Sequence, residues 1–159
     1  MELILWRHAE AEDERPGQGD LQRALTPRGE KQAAKMARWL EPQLPGSALI
    51  LCSPALRCEQ TVLPLGRKYD LCDGLAPDNT SKLLLQAAGW PDARRTVLVV
   101  GHQPTLGEAI AMLVGTQGVN VQVRKGSVWR LRTRERNGDQ QTVVMSQSPL
   151  CSIQRPISP

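Results

Sequence analysis

The sequence predicts an α/β protein: a single three-layer domain with a mostly parallel sheet, helices on both faces and a C-terminal antiparallel hairpin. Three observations lead there. Short apolar runs at 2–6, 48–52 and 96–101 read as buried strands. A helix-start signal of Thr-Pro, Ser-Pro or Gln-Pro type follows each of them. Two later β-segments flank the turn pair Asn137-Gly138, as in a hairpin. Strands alternating with helices bury both faces of a sheet, and that is the layered parallel architecture.

Taken in order, 2–6 is the first strand and 9–25 a polar loop with Glu10, Glu12, Asp13 and Glu14. Thr26-Pro27 caps and opens a helix whose apolar positions Ala33, Ala34, Ala37 and Leu40 recur at helical spacing until Pro42 and Pro45. Strand 48–52 leads through Ser53-Pro54 into a helix expected to reach Tyr69. Residues 70–80 are turn-rich, and 81–88 is helical up to Gly89. Strand 96–101 precedes a helix from Pro104 to Val114, closed by Gly115. The hairpin strands are expected at 127–134 and 142–146. The domain is expected to span 1–148, followed by an extended tail, 149–159, with Pro149, Pro156 and Pro159.

At 159 residues one domain is expected, burying roughly two-thirds of the surface its unfolded chain exposes. Apolar residues make up 40% and Phe is absent, so the core falls to Leu, Val, Ile and Ala, with Trp39, Trp90 and Trp129 as packing anchors. Twenty basic against sixteen acidic side chains give +4, a bias toward anionic ligands. No basic cluster is interleaved with aromatics, so a nucleic-acid partner is not expected. No apolar stretch approaches the roughly 18 residues of a membrane span and no signal peptide is evident, so a cytoplasmic protein without a membrane partner is expected, with monomer as the default state. Four cysteines, Cys52, Cys58, Cys72 and Cys151, fit neither a zinc ribbon nor a disulfide framework and read as free thiols.

The chemistry concentrates at strand ends. The chain has only two histidines, and each ends a strand: Arg7-His8-Ala9 closes the first and Gly101-His102 the third of the clear ones. In parallel sheets ligands bind outside the carboxyl ends of strands, so Arg7, His8, Arg57 and His102 converge on one rim. Two guanidiniums can hold phosphoryl oxygens bidentately, helped by helix-opening amides after Ser53 and His102. Such a pocket calls for no metal and no cofactor. A neutral His8 could attack phosphorus, while His102, as imidazolium, could bind and balance the phosphoryl oxygens.

These residues resemble the histidine phosphatase superfamily, the phosphoglycerate mutase-like group, whose Arg-His-Gly motif corresponds to Arg7-His8-Ala9. Residues 25–33 (Leu-Thr-Pro-Arg-Gly-Glu-Lys-Gln-Ala) are similar to the family's first-helix motif, 53–61 to its second arginine motif, and 100–104 to its second histidine motif. The short length and the segment 145–150 look most like SixA-type phosphohistidine phosphatases. The resemblance implies that His8 is the phosphorylated nucleophile, with Arg7, Arg57 and His102 binding phosphate.

Ala9 stands where the motif has glycine, a methyl being the smallest possible intrusion. Around 75–78, where many relatives place a glutamate acid, Ala76 and Pro77 occur; Asp78 and Glu10 are the remaining candidate acids. Without a strong acid, departure of an imidazole (ordinary pKa about 6.5) is easier than departure of an alkoxide. The expected function is therefore hydrolysis of phosphohistidine on a phosphorelay or phosphotransfer protein, at a site with little room for a lid. The alternatives are a small-molecule phosphomonoesterase or mutase, and a phosphate-dependent binding module without turnover. Cys58 is expected in helix packing rather than as a redox switch, and the segment 125–127 could reach the rim.

Overall fold

A computed structural model describes residues 1–116 and 121–147, with the side chains of 146 and 147 excepted. The expected tail 149–159, Cys151 and the boundary at 148 lie outside the described residues. Strands β1 (Glu2–Arg7), β2 (Leu49–Cys52), β3 (Asp70–Leu71), β4 (Val97–Gly101), β5 (Val128–Arg136) and β6 (Asp139–Gln147) form one sheet in the order β3-β2-β4-β1-β5-β6. The first four in that order run parallel, while β5 is antiparallel to β1 and β6 to β5. Four helices, α1 (Pro27–Leu40), α2 (Leu56–Val62), α3 (Ser81–Ala88) and α4 (Thr105–Val114), complete the described fold.

The period of two along each strand divides the core into two layers. Ile4 and Trp6 of β1, with Leu98 and Val100 of β4, face Met36, Ala37 and Leu40 of α1 and Cys58 and Val62 of α2. Their neighbours Leu3, Leu5, Val97 and Val99 face Leu84 and Ala88 of α3 and Leu106, Ala109 and Ile110 of α4. Both faces of β1 and β4 are therefore dry, which is why these strands read as continuous apolar runs. Trp39, Trp90 and Trp129 pack at the margins of the two clusters.

Local chemistry sets the ends of the elements. Thr26 caps α1, its Oγ1 accepting from the Gly29 amide at 2.9 Å, and Pro27 opens the first turn. Gly89 and Gly115 close α3 and α4 in the left-handed conformation, at φ +70° and +75°. Asn137 (φ +55°) and Gly138 (φ +82°) form the two-residue link between β5 and β6, as a primed hairpin turn requires.

Three expectations are corrected. The helix expected over 54–69 is only Leu56–Val62. Ser53 accepts from the Ala55 amide at 3.2 Å, so the helix starts later, and Pro64 in the following 3₁₀ turn, then Gly66 at φ +70°, end the α-helical run. The turn-rich segment contains β3, whose two exposed residues pair with Leu51 and Cys52 and are too few to show a period. The hairpin strands are longer than expected, because exposed charged positions such as Glu135 and Arg136 pair along the ladder despite lacking apolar alternation.

Gly29 connects the fold to the site. A Cβ there would lie 2.0 Å from the Glu10 carbonyl oxygen, a backbone atom two residues past His8. Gly29→Ala is expected to lower unfolding free energy by about 2 kcal/mol or more through this overpacking. Gly46→Ala, where a Cβ meets nothing within 4 Å, should change it by less than about 0.5 kcal/mol. Urea denaturation of the two variants checks the contrast.

Candidate functional site

The site follows from one register. Because β1 and β4 are parallel neighbours with Arg7 opposite Gly101, the residues just beyond them emerge side by side, and the His8 amide donates to the Gly101 carbonyl at 3.2 Å. The rings of His8 and His102 lie 5.4 Å apart between centroids, tilted by 55°. Arg57, the second residue of α2, brings Nη2 to 3.3 Å from His102 Nδ1. Arg7 anchors Nη1 on the Val123 carbonyl at 2.9 Å. The structure thus gathers all four expected residues, and His8, Arg57 and His102 are 4 to 6% exposed.

Hydrogen-bond chemistry assigns a tautomer to each histidine. His8 Nδ1 lies 2.7 Å from the Ala9 carbonyl oxygen, which can only accept, so Nδ1 carries the proton and Nε2 keeps its lone pair. A guanidinium can only donate, so His102 Nδ1 accepts from Arg57 and Nε2 carries the proton, donating to Ser53 Oγ at 2.7 Å. Ser53 also accepts from the Ala55 amide at 3.2 Å. The Ala55 amide, expected to be available to a bound anion, is therefore already engaged.

Burial and the cations keep both rings neutral. Desolvation, then the charges of Arg57, Arg7 and Lys125, push His8 down to about 4 despite the bond to the Ala9 carbonyl. Desolvation, followed by Arg57 and His8, pushes His102 down to about 3, with Asp20 acting in the opposite sense. Desolvation and Arg57 also lower the Arg7 guanidinium. In the protein alone His102 is therefore not the imidazolium; taking a proton requires an added negative charge beside it.

Arg7 Nε and Arg57 Nε are buried N–H donors without a hydrogen-bond partner among the described residues. Orphaned donors on two neighbouring guanidiniums form an unmet demand for an acceptor, and an oxyanion supplies acceptors in the number and charge required.

The motif residues around the four serve mainly to hold loop 9–25. Gln32 Oε1 accepts from the Glu10 amide at 3.2 Å and Gln60 Oε1 from the Leu25 amide at 2.7 Å. Thr61 Oγ1 accepts from the Ala9 amide at 3.0 Å and donates to the Arg57 carbonyl at 2.6 Å. Ala9 is fully buried in this frame, so the methyl in place of glycine fits. The Gly126 amide bonds the carbonyls of Arg7 and His8 at 3.1 and 3.0 Å, so the segment 125–127 does reach the rim. Beside Arg7 a cleft of about 730 Å³ is lined by Glu10, Glu12, Arg28, Gln32, Arg124 and Lys125, among others.

Of the candidate acids, Glu10 pairs with Arg28 at 3.6 Å and Asp78 is exposed at φ +68°. Cys58 packs in the core, 3.5 Å from His102 Nε2, with burial pushing its thiol up to about 12. One carboxylate escaped the sequence reading. Asp20 bonds Arg57 directly, and the only sequence hint is the three-residue spacing from Arg23, its second partner.

In a doubly covered α/β sheet, the adjacent ends of β1 and β4 carry two histidines and Arg7, and α2 brings Arg57 beside them, an arrangement able to hold an oxyanion. Residues 3–77 match the profile of the histidine phosphatase superfamily (branch 1). An uncharacterised protein of Picosynechococcus sp. is 34% identical over 143 residues, covering 84% of this chain and 86% of that one. The phosphohistidine phosphatase SixA homolog of Haemophilus influenzae is 29% identical over 130 residues, covering 72% and 78%. The structure of the protein histidine phosphatase SixA complexed with tungstate has a TM-score of 0.74 at 24% identity, covering 97% of this chain and all of that one. A phosphoserine phosphatase of Entamoeba histolytica shares the fold as well, with a TM-score of 0.70 at 19% identity, covering 96% and 99%. The chain belongs to the histidine phosphatase superfamily.

The two neutral histidines make stability depend on acid. A histidine whose pKa is lower folded than unfolded binds its proton preferentially in the unfolded chain. Its stabilisation is therefore complete above about pH 6.5 and is lost as pH falls toward 4 for His8 and 3 for His102. Unfolding free energy is expected to drop between pH 6.5 and 4.5 by about 1 kcal/mol per pH unit per histidine. His8→Gln should roughly halve that slope. Denaturant titrations across this range measure it, and a flat profile would contradict the buried neutral pair.

Proposed function

We propose that the protein is a cofactor-independent phosphatase that hydrolyses phosphohistidine on a phosphorelay or phosphotransfer protein through a covalent phospho-His8 intermediate. The observation that carries this is the 2.7 Å bond from His8 Nδ1 to the Ala9 carbonyl, which commits the proton to Nδ1 and leaves Nε2 as the nucleophile. Arg7 and Arg57, with their orphaned Nε donors, are the phosphate ligands, and His102, its ring 5.4 Å from that of His8, is the third.

In the first step the His8 Nε2 lone pair forms a bond to phosphorus as the P–N bond to the partner's imidazole breaks; that ring, already protonated from water on its other nitrogen, takes the bonding pair and departs as neutral imidazole. In the second, water attacks phospho-His8, releasing phosphate and restoring His8. The developing charge on the equatorial oxygens falls among the guanidiniums, and the added charge permits His102 to take up a proton and donate to phosphate.

The choice of substrate rests on acid chemistry. Every charge acting on His8 is positive, from Arg57, Arg7 and Lys125, and Asp20 is held ionised by Arg23 and Arg57. Asp20 is tied to two arginines and Glu10, which lines the cleft beside Arg7, is paired with Arg28; this favours a leaving group that needs no proton from the enzyme, such as a departing imidazole. The name of the Haemophilus influenzae relative agrees with this choice. His8 is 6% exposed beside the cleft of about 730 Å³ that Arg7 lines, which suits a phosphorylated side chain protruding from a partner. Among the described residues no helix is long and apolar enough to cross a membrane. Cys52, Cys58 and Cys72 are free thiols, in keeping with the reading of a cytoplasmic protein.

A panel of phosphohistidine, phosphoserine and a sugar phosphate tests the proposal. Phosphohistidine is expected to give the highest kcat/KM, by at least tenfold, and His8→Ala to lower it by a factor of about 10³ or more. Preference for the esters would replace the phosphohistidine reading with a monoesterase. Phosphoprotein binding without phosphate release would make the chain a binding module.

A further inference from the structure

Asp20 lies in a 3₁₀ turn of the loop between β1 and α1, and it is bonded into the proposed machinery. Its Oδ2 accepts from Arg57 Nη2 at 3.1 Å and its backbone carbonyl from Arg57 Nη1 at 2.9 Å. Its other oxygen, Oδ1, accepts from Arg23 Nη1 at 3.1 Å, and Arg23 Nε is fixed on the Glu12 carbonyl at 2.7 Å. The loop is pinned in turn, the Glu12 amide donating to the Ala24 carbonyl at 2.8 Å. The carboxylate is thus clamped between two guanidiniums, and one of them is 4% exposed.

Two consequences follow from this geometry. Asp20 engages both terminal nitrogens of Arg57, so the guanidinium cannot rotate, and the unpartnered Nε remains for an anion. The second consequence is electrostatic. The charged and titratable groups acting on His102 are Arg57, Arg7, His8 and Asp20, with Cys58 in contact, and Asp20 is the one carboxylate among them. It offsets part of the positive charge that two arginines would otherwise bring to bear on an oxyanion.

We propose that Asp20 is a positioning residue and counter-charge of the phosphoryl site: it holds Arg57 against His102 and keeps inorganic phosphate, the product, from being retained. This rests on the phosphatase reading above. A site with two guanidiniums and no counter-charge would bind a dianion tightly whether or not it was still attached to a substrate. Asp20 lowers that uniform attraction without giving up the fixed donor geometry.

The experiment uses the full chain, with inorganic phosphate as the probe at pH 7, and measures affinity by calorimetry and initial-rate turnover of phosphohistidine separately. Asp20→Asn keeps an acceptor for Arg57 and removes the charge; Asp20→Ala removes both. Asp20→Asn, which keeps the geometry, is expected to bind phosphate about tenfold tighter or more, because removing a negative charge beside the site strengthens its attraction for a dianion. Initial-rate kcat should fall modestly in Asp20→Asn and by about tenfold more in Asp20→Ala, which leaves Arg57 unheld. A merely structural role could only weaken phosphate binding, so a gain is diagnostic. Unchanged or weaker affinity in folded Asp20→Asn would overturn the proposal. A parent that binds phosphate but turns nothing over would refute the phosphatase reading alone, since affinity still tests Asp20; a parent that binds no phosphate would overturn both.

Discussion

The pairing of β1 with β4 is the constraint on which the rest depends. Two strands separated by about ninety residues of chain lie side by side with Arg7 opposite Gly101, so the next residue of each is a histidine at the same height above the sheet. A slip of one residue would turn His8 to the other face, because side chains alternate along a strand. The register is held by burial on both faces: Ile4 and Trp6 pack into one layer and Leu3 and Leu5 into the other, all fully buried. The apolar core and the proposed chemistry thus share one alignment.

On that frame two identical side chains acquire opposite roles through their hydrogen-bond partners. The Ala9 carbonyl fixes the His8 proton on Nδ1, and Arg57 and Ser53 fix the His102 proton on Nε2. Burial removes charge from both rings, so the site holds its positive charge on Arg7 and Arg57, which cannot give it up. A phosphoryl group entering this site meets guanidiniums already in place and neutral imidazoles, and only afterwards does the charge state of His102 change. Preorganisation of this kind costs nothing at the moment of reaction, because the folding of loop 9–25 has already set it.

Much of this was legible in the sequence, because it depends on patterns that are local. Dry strands show as continuous apolar runs, Thr26-Pro27 announces its helix, and histidines at strand ends converge once the sheet is parallel. What was missed depends on contacts distant in sequence. The expected long helix after Ser53 stops at Val62 because Pro64 and Gly66 follow, signals outweighed by apolar spacing; β3 has two residues and no period. Asp20 looked like one more loop carboxylate, and nothing local reveals that Arg57, 37 residues away, is its partner.

The central claim is that His8 Nε2 takes the phosphoryl group, and the most direct measurement is rapid-quench trapping of the enzyme during turnover of phosphohistidine, with the modified residue mapped by mass spectrometry. The account predicts up to one acid-labile, alkali-stable phosphoryl group per chain, located on His8 and decaying at the rate phosphate appears. Phosphate release at the parental rate from His8→Ala, or a phosphoryl group found on His102 instead, would contradict it.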